Sequence, residues 1–480
     1  MAAPTIYPTG TTVFDPEKTW SGYTLYIARD TGAALVDMNG NVIQLWEGLH
    51  GFPCKPLPGG MVMGSLGVRD PQYGYMDHTD VVQVNWEGEV TWKFDQYEFI
   101  EDPGNEGMWM ARQHHDFQRE GNPVGYYVPG MDPMTEGGST IILGHKNLVN
   151  PKISDKMLVD DVIYEVTWDG DIVWEWVCSD HFDEMGFSEE AKNILCRNPN
   201  MVIGKGLVGD WMHINSVSTL GPNRWYDAGD ERFHPDNIIW DGRMANIMAI
   251  VDKKSGKIVW QVGPDYRSSP ELRKIGWIIG QHHAHMIPKG LPGEGNILVF
   301  DNGGFAGYGA PNPSSPTGHN NALREYSRVL EFDPITLKLV WMYTYFEAGY
   351  LNRMGRYHFF SPLISSAQRL PNGNTMITEG SNGRMLEVTS DHELVWEYIS
   401  PYFGEDGKSN HVYRAYRVPC EWVPQVRAPE EIPVPRMDIS RFRVPGTEWK
   451  EEQRKTAVKG ARGYASMPQL CVADLTIDED

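Results

Sequence analysis

One phrase recurs six times along the 480-residue chain and constrains the fold more than any other feature. Each copy is an apolar, alternating strand, a turn built from residues such as Asp, Asn and Gly, and a second strand that ends near an aromatic residue. The copies end at Trp46, Trp92, Trp176, Trp260, Trp341 and Tyr398. Period-two alternation around a short turn is the signature of a β-hairpin. Six hairpins of one wording predict a repeat architecture and disfavour two β-sandwich domains.

A second hairpin-like unit precedes most copies, as in "MHINSVSTLGPNRW" and "SSAQRLPNGNTMITEG". Each repeat therefore supplies about four short strands, which is the blade of a β-propeller. We predict an all-β, six-bladed β-propeller over residues 1–424. The stretch "HVYRAYRV" from His411 is expected to be an innermost strand whose sheet is completed by N-terminal strands in "TVFDP" and "YTLYIARD". Pairing the two chain ends would close the ring.

The composition changes after Pro424 to the Pro-rich, charged wording "APEEIPVPRMDISRFRVPG". For residues 425–480 we predict an extended C-terminal tail packed on the propeller, with one short helix near Glu451 and a solvated acidic end. Fifty glycines, thirty-three prolines and seventeen tryptophans agree with turn-rich β structure rather than a helical bundle.

Charge and targeting signals limit the partners. The net charge of −22 argues against a nucleic-acid surface, and no apolar run is long enough for a membrane helix. We expect a small-molecule substrate, no nucleic acid and no membrane, and leave a homo-oligomer open. The start "MAAPTIYPTG" shows no leader, which predicts a cytoplasmic protein, or a periplasmic one if a leader was removed. The five scattered cysteines show no CxxC spacing and predict reduced thiols, although Cys178 and Cys196 could pair in an oxidising compartment.

Histidines mark the blade-opening strands, which line the channel of a propeller. They occur in "RQHHDF", "WMHINSV", "GQHHAHM" and "HVYRAYR", and another precedes the fifth such strand in "RYHFFSPLISS". As catalytic candidates we assign His213, His282, His285, Arg328 and His358; as substrate-binding candidates, His114, His115, His283, His411 and Arg414. Strand alternation puts His283 and His285 on one face and His282 on the other, unless a bulge near Gly280 changes the register.

Other histidines and the arginines are weighed differently. We expect solvated or capping roles for His50, His145, His181, His234, His319 and His392, which fall in loops or outer hairpins. Arginines such as Arg328 and Arg414 could form an anion clamp beside the channel histidines. The alternative is that they pair with the abundant carboxylates and staple blades together.

Two classes of chemistry fit imidazole and guanidinium groups where no P-loop, HExxH or GxSxG motif is present. The first is transfer of a sulfuryl-like group, with histidine as nucleophile or base and no cofactor expected. The second is a divalent metal in the histidine-rich channel that activates water. Its ligands are unknown from sequence, although the carboxylates of Asp116 and Asp301 are available.

The words "WMHINSV", "GQHHAHM…GNILVFDNGG", "YSRVLEFDP" and "SSAQRLPNGNTMITEGSNGRMLEVT" resemble the arylsulfotransferase family of β-propeller proteins over most of residues 80–425. The resemblance implies PAPS-independent sulfuryl transfer from an aryl sulfate ester to a phenolic acceptor, through a sulfohistidine. It also implies that His213, His282 and Arg328 are site residues, and that a later blade supplies the nucleophile, for which this chain offers His358 or His411. The alternative is a histidine- or metal-dependent lyase or hydrolase acting on a small anionic or aromatic substrate. A non-catalytic scaffold would not explain the histidine clusters.

Overall fold

The computed structural model describes residues 8–74, 76–199, 209–350, 353–405, 407–438 and 459–460. Six sheets, each of four or five antiparallel strands, are arranged as the blades of a β-propeller. Their innermost strands contact one another in ring order and enclose a central channel. The predicted all-β, six-bladed propeller is confirmed.

The first half of the chain builds blades 1 to 3. Strand β1 (Gly10–Phe14) precedes β2 (Tyr23–Ala28), β3 (Gly32–Val36) and β4 (Val42–Glu47) of blade 1. Blade 2 contains β5 (His50–Leu57), β6 (Met61–Ser65), β7 (Val81–Val84) and β8 (Val90–Phe94). A hairpin of β9 (Glu98–Ile100) and β10 (Met108–Met110) follows. Blade 3 contains β11 (Gln113–Arg119), β12 (Thr140–Leu148), β13 (Leu158–Val166) and β14 (Ile172–Val177).

The second half builds blades 4 to 6. After α1 (Glu189–Arg197), blade 4 contains β15 (Ile214–Thr219), β16 (Ile238–Gly242), β17 (Ile247–Val251) and β18 (Ile258–Val262), with α2 (Arg224–Asp227) between β15 and β16. After α3 (Pro270–Ile275), blade 5 contains β19 (His282–Met286) and β20 (Ile297–Asp301), then the inserted hairpin β21 (Gly304–Tyr308) and β22 (His319–Arg324), then β23 (Arg328–Phe332) and β24 (Leu339–Tyr343). Blade 6 contains β25 (Ser366–Arg369), β26 (Thr375–Glu379), β27 (Arg384–Val388) and β28 (Leu394–Ile399). Strand β29 (Ala415–Val418) comes last, and the 3₁₀ helices are Cys178–Glu184, Glu231–Phe233, Arg353–His358, Gly380–Asn382 and Cys420–Trp422.

A ring of six tryptophans explains the recurring phrase. In every blade, one indole N–H of the outermost hairpin donates a hydrogen bond to a backbone carbonyl in the outer turn of the next blade. The pairs are Trp46–Asn85, Trp92–Trp168, Trp176–Gly256, Trp260–Pro334, Trp341–Ser390 and Trp396–Met38, with nitrogen–oxygen distances of 2.8–3.0 Å. Each indole also covers apolar surface between two blades, so one residue type joins neighbouring blades by packing and by a directional bond.

The chain ends close the ring. Strand β29 is the innermost strand of blade 1 and pairs with β2, with Tyr23 opposite Val418, as expected for "YTLYIARD". The expectation for "TVFDP" was wrong: β1 pairs instead with β28 and becomes the fifth, outermost strand of blade 6. The side chain of Phe14, the last residue of β1, is buried there beside Val434.

The start of the C-terminal segment lies against the propeller. Val434 exchanges two backbone hydrogen bonds with Phe14, and Asn39 bonds the backbone of Ile432. The helix predicted near Glu451 and the acidic end lie outside the described residues. Among the residues that the structure covers, no helix is long and apolar enough to cross a membrane. Cys178 and Cys196 are both free thiols, so they do not form the disulfide that was left open.

Candidate active site

Bulges at the start of three inner strands turn the histidines into the channel. His115, His213 and His283 occupy equivalent points before or within β11, β15 and β19, with φ of 55°, 56° and 56°. Left-handed backbone is unfavourable for a residue with a Cβ, so the surrounding structure must hold these three in place. In β19 the register shifts between His282 and His285. The bulge suggested near Gly280 therefore exists, centred on His283, and strict alternation does not hold.

Rings from four blades meet at one mouth of the channel. The rings of His115 and His213 lie 4.6 Å apart between centroids. Phe52 stacks on Tyr413 at 3.9 Å, and both present aromatic surface to His115. A cavity of about 430 Å³ is lined by Phe52 and Tyr413 of this group, together with Arg29. The arrangement offers a flat aromatic surface beside imidazole nitrogens.

His213 is the most accessible of the six imidazoles clustered at the starts of β11, β15 and β19. It is 8% exposed, whereas His114, His115, His282, His283 and His285 are between 0 and 3% exposed. Its Nδ1 lies 2.6 Å from Oδ2 of Asp210, which stands three residues earlier. Burial opposes ionisation of Asp210, but the positive potential of His213 and neighbouring groups lowers its pKa overall. The ionised carboxylate accepts a hydrogen bond from Nδ1–H, which leaves Nε2 as the ring nitrogen that turns away from Asp210.

A second group lies behind His115. The Nδ1 atoms of His114 and His115 are 2.8 Å apart, and the ring of His114 stacks on His145 at 3.6 Å. Nε2 of His114 is 3.3 Å from Oδ1 of Asp161. Burial, reinforced by neighbouring imidazoles, lowers the pKa values of His114 and His115 well below the ordinary value. Both rings are therefore neutral at pH 7.

Two histidines lie in places that differ from those the sequence analysis predicted. His145 was expected to be solvated or capping, but it is 1% exposed and its Nδ1 lies 2.6 Å from Asp77. The reason is that β12 and β13 form a long hairpin in which His145 pairs with Asp161, and it places both residues against His114, behind the channel mouth. His50 was also assigned to a loop or an outer hairpin, yet it is the first residue of the inner strand β5.

A buried ion network fills the channel below the mouth. Asp116 lies 2.6 Å from Lys55 and 2.9 Å from Arg414, and also accepts a hydrogen bond from the backbone of Val217. These residues belong to four different blades. Burial lowers the pKa of Lys55 to about 8, although the charge of Asp116 opposes this shift. Arg414, predicted to bind substrate, thus staples blades together, and Asp116 is engaged with cations rather than placed among the clustered histidines.

Two of the three histidines of β19, His282 and His285, have both ring nitrogens engaged. Nδ1 of His282 contacts Oδ1 of Asn302 at 2.7 Å, and its Nε2 accepts the backbone N–H of Ile364. Nδ1 of His285 contacts the carbonyl of His283, and its Nε2 lies 2.9 Å from the hydroxyl of Tyr126. These partners saturate both imidazoles in the neutral form. His283 lies 4.5 Å from His285 between ring centroids, and its Nδ1 has no hydrogen-bond partner among the described residues.

Two other candidates, Arg328 and His358, lie apart from the channel mouth, whereas a third, His411, lies at it. Arg328 directs its guanidinium at Asp301 and at the carbonyls of Ile275 and Trp277, which makes it a staple of blade 5. The ring of His358 stacks on Tyr350 in a 3₁₀ helix before β25. His411 lines the mouth cavity and its Nδ1 lies 3.1 Å from Nη1 of Arg29. The structure thus brings together His114, His115, His213 and His411 at the mouth, but not Arg328 or His358.

Several site residues were missed because they lack a signature spacing. Phe52 and Tyr413 are ordinary aromatic residues in the sequence, and only the ring of blades brings them together. Arg29 lies in the turn between β2 and β3. Asp210 could have been noticed as an acid three residues before a blade-opening histidine.

Fold and site define a six-bladed β-propeller whose channel mouth is lined by imidazoles. The sequence model of the arylsulfotransferase (ASST) family matches residues 131–407, more than half of the chain, and the protein belongs to that family. This membership supports aryl-sulfotransferase-type activity in general terms. No curated protein gives a significant match to the whole sequence.

Solved structures with similar topology are remote in sequence. A protein of unknown function from Bacteroides caccae is 10% identical, with 83% of this chain and 100% of that chain covered and a TM-score of 0.42. The β-propeller domain of Myceliophteria thermophila Cps50 is 11% identical, with coverage of 83% and 90% and a TM-score of 0.35. Virginiamycin B lyase from Staphylococcus aureus is 10% identical, with coverage of 83% and 86% and a TM-score of 0.32. At these scores the similarities carry no functional argument.

Proposed function

We propose that the channel mouth transfers a sulfuryl group from an aryl sulfate ester to a phenolic acceptor, with His213 as the nucleophile. The observation that carries the proposal is the contact of His213 Nδ1 with Asp210 Oδ2, 2.6 Å long, on the most accessible imidazole of the clustered histidines at the starts of β11, β15 and β19. A carboxylate on Nδ1 fixes the tautomer and stabilises positive charge that develops on the ring during attack.

The steps balance without a redox cofactor or a sulfated nucleotide. Nε2 of His213 attacks sulfur, the S–O bond breaks, and the departing phenolate keeps its electron pair. The acceptor phenol then loses its proton and its oxygen attacks the same sulfur, so the N–S bond breaks and returns its pair to the imidazole. The proton that the acceptor releases ends on the first phenol. No oxidation state changes.

The substrate class follows from the groups around the cavity. Phe52 and Tyr413 give a planar aryl ring a stacking surface. Arg29, whose side chain is 25% exposed, can meet the anionic ester. His411 also lines the cavity, and the ring of His115 contacts Phe52 and Tyr413 of its wall. A local cation is needed because the chain as a whole carries a net charge of −22 and repels anions.

Release of nitrophenol from p-nitrophenyl sulfate, with and without phenol, tests the proposal. We expect release that depends on the acceptor and yields phenyl sulfate in equal amount. His213→Gln should lower turnover on the order of 10²–10⁴-fold while the thermal midpoint stays close to that of the wild type. His234→Gln, in an outer loop, serves as the matched control. Equal release without acceptor would indicate a hydrolase, and full activity of His213→Gln would remove this histidine from the reaction.

A further inference from the structure

Two imidazoles and a carboxylate meet deep behind the channel mouth. The long hairpin of β12 and β13 supplies His145 and Asp161, and β11 supplies His114. One ligand atom from each of His114, His145 and Asp161 lies within 4.8 Å of the other two. All three side chains are fully buried, with exposures of 0–1%. Such a group is expensive to bury unless something compensates its charge and its lone pairs.

The polar atoms that face this space are not satisfied by the protein. Within the described residues, Nε2 of His114 and Oδ2 of Asp161 make no hydrogen bond, although both are buried. Oδ1 of Asp161 accepts the backbone N–H of Ile214, which leaves its second oxygen directed elsewhere. Oδ1 of the nearby Asp210 is likewise buried without a partner. A buried imidazole nitrogen and two buried carboxylate oxygens without hydrogen bonds at one place indicate that a ligand binds between them.

The second imidazole is oriented as metal-ligating histidines are. Nδ1 of His145 contacts Oδ1 of Asp77 at 2.6 Å, and Asp77 is held in its ionised form by Arg69 and Arg112 at 3.0 and 2.9 Å. A carboxylate on one ring nitrogen keeps the proton there and leaves the other nitrogen as the basic one. This backing is typical of metal sites.

We propose that His114, His145 and Asp161 bind a divalent transition-metal ion of the zinc class. The 3.3 Å between Nε2 of His114 and Oδ1 of Asp161 is close to the ligand–ligand edge of about 3.3 Å that zinc bonds of about 2.0–2.1 Å give in a tetrahedron. Oδ1 keeps a second lone pair after it accepts the N–H of Ile214, and Oδ2 has both of its lone pairs available. Two imidazole nitrogens and one carboxylate oxygen match a borderline-soft cation better than Mg²⁺ or Ca²⁺, which prefer oxygen ligands. The ring planes of His114 and His145 form an angle of 12°. The two rings must tilt relative to each other for a lone pair of each to reach one ion.

The site does not rest on sulfuryl transfer, because its ligands are distinct from His213 and its test is binding. The ion would lie beside His115, whose Nδ1 contacts that of His114 at 2.8 Å. It would therefore add positive charge behind the mouth where an anionic substrate arrives.

Calorimetric titration of the chelator-treated full chain with Zn²⁺, and the visible spectrum on adding Co²⁺, test the site. We expect one ion per chain and a Co²⁺ spectrum of low coordination number. Asp161→Asn, which keeps the shape of the side chain, and His145→Gln should each weaken Zn²⁺ binding by about 100-fold or more. His234→Gln should bind as the wild type does.

The result is decisive in either direction. Absence of Zn²⁺ and Co²⁺ binding by the wild type, or unchanged affinity in Asp161→Asn, overturns the proposal. Binding of Mg²⁺ or Ca²⁺ in preference to Zn²⁺ overturns the assigned class of ion. If His145→Gln fails to fold, Asp161→Asn decides alone, with its thermal midpoint measured in chelator to establish that it is folded.

Discussion

The carboxylate of Asp210 lies 2.6 Å from Nδ1 of His213, three residues along the chain and at the mouth of the channel. The pair depends on local backbone: His213 has a φ of 56°, which turns its ring away from the path of a regular strand and towards Asp210 and His115. The imidazole of His213 is therefore oriented by its left-handed backbone and by the buried carboxylate of Asp210 three residues earlier.

Asp210→Asn should therefore lower kcat while leaving the fold intact. The amide can face Nδ1 with its oxygen, but it supplies no negative charge to stabilise the ring after attack. We expect a loss on the order of 10²-fold in kcat. Because Asp210 acts through His213, the pH dependence of kcat should also shift, which a purely structural residue would not cause. A variant with unchanged kcat and an unchanged pH profile would contradict this role.

Arg29→Gln should raise KM for an anionic aryl ester and change kcat little. Arg29 lines the mouth cavity, where its positive charge can meet an anionic ester. A charge-assisted hydrogen bond is worth about 1.5 kcal/mol or more, which corresponds to a rise in KM of about 10-fold. Lys152→Gln, at an exposed ion pair with Asp183, is the control. Loss of kcat without a change in KM would exclude the proposed role in binding.

Asp116→Ala should destabilise the propeller by about 3–5 kcal/mol, because it strips the partner from two buried cations. Lys55 can shed its proton, since its pKa is about 8. Arg414 cannot, and it is 1% exposed. Urea unfolding monitored by tryptophan fluorescence measures the change. Lys152→Ala should shift stability by less than about 0.5 kcal/mol, and an equally small shift for Asp116→Ala would show that the network is not structural.

The stability gained by Asp241→Asn should grow as the pH rises. Burial raises the pKa of Asp241 to about 7 from an ordinary value of 3.8, although hydrogen bonds from Ala284 and Ser216 oppose the shift. The unfolded chain ionises this carboxyl near pH 4, whereas the folded protein holds it protonated until about pH 7. Its contribution to stability is therefore present below pH 4 and is lost between about pH 4 and 7.

Urea unfolding at pH 4.5 and pH 7.5 checks this sign. We expect the difference in unfolding free energy between variant and wild type to move in favour of Asp241→Asn, on the order of 2–4 kcal/mol, between those two values. Oδ1 of Asp241 makes no hydrogen bond within the described part of the chain. Replacing this oxygen with the amide nitrogen of Asn therefore breaks no hydrogen bond. A difference that is the same at both pH values would show that the carboxyl titrates normally.

The architecture could be predicted because it repeats. Six copies of one hairpin phrase gave the number of blades, and the tryptophans that end or nearly end them bond the next blade in turn. The partner of β1 could not be predicted, since alternation within "TVFDP" marks a strand but not the edge on which it pairs. That choice is made by burial of Phe14 beside Val434.

The sequence analysis proposed site residues where histidines lie on inner strands. It named His114, His115 and His213 in this way, but not the neighbouring His145, Asp161 and Asp210, because each reaches the channel from a hairpin extension or a connection. Arg328 and Arg414 were also proposed from their neighbours in the sequence. Their positions near histidines suggested an anion clamp, but buried carboxylates on other strands already pair with both guanidinium groups.

Peptide mapping by mass spectrometry after incubation with p-nitrophenyl sulfate, without acceptor, tests the central claim most directly. The account predicts a single added sulfuryl group on His213, which disappears when phenol is supplied and never forms in His213→Gln. The modified chain should accumulate at the rate of the first release of nitrophenol. A sulfuryl group on another residue such as His358 or His411, or turnover to phenyl sulfate with no modified chain, would contradict it.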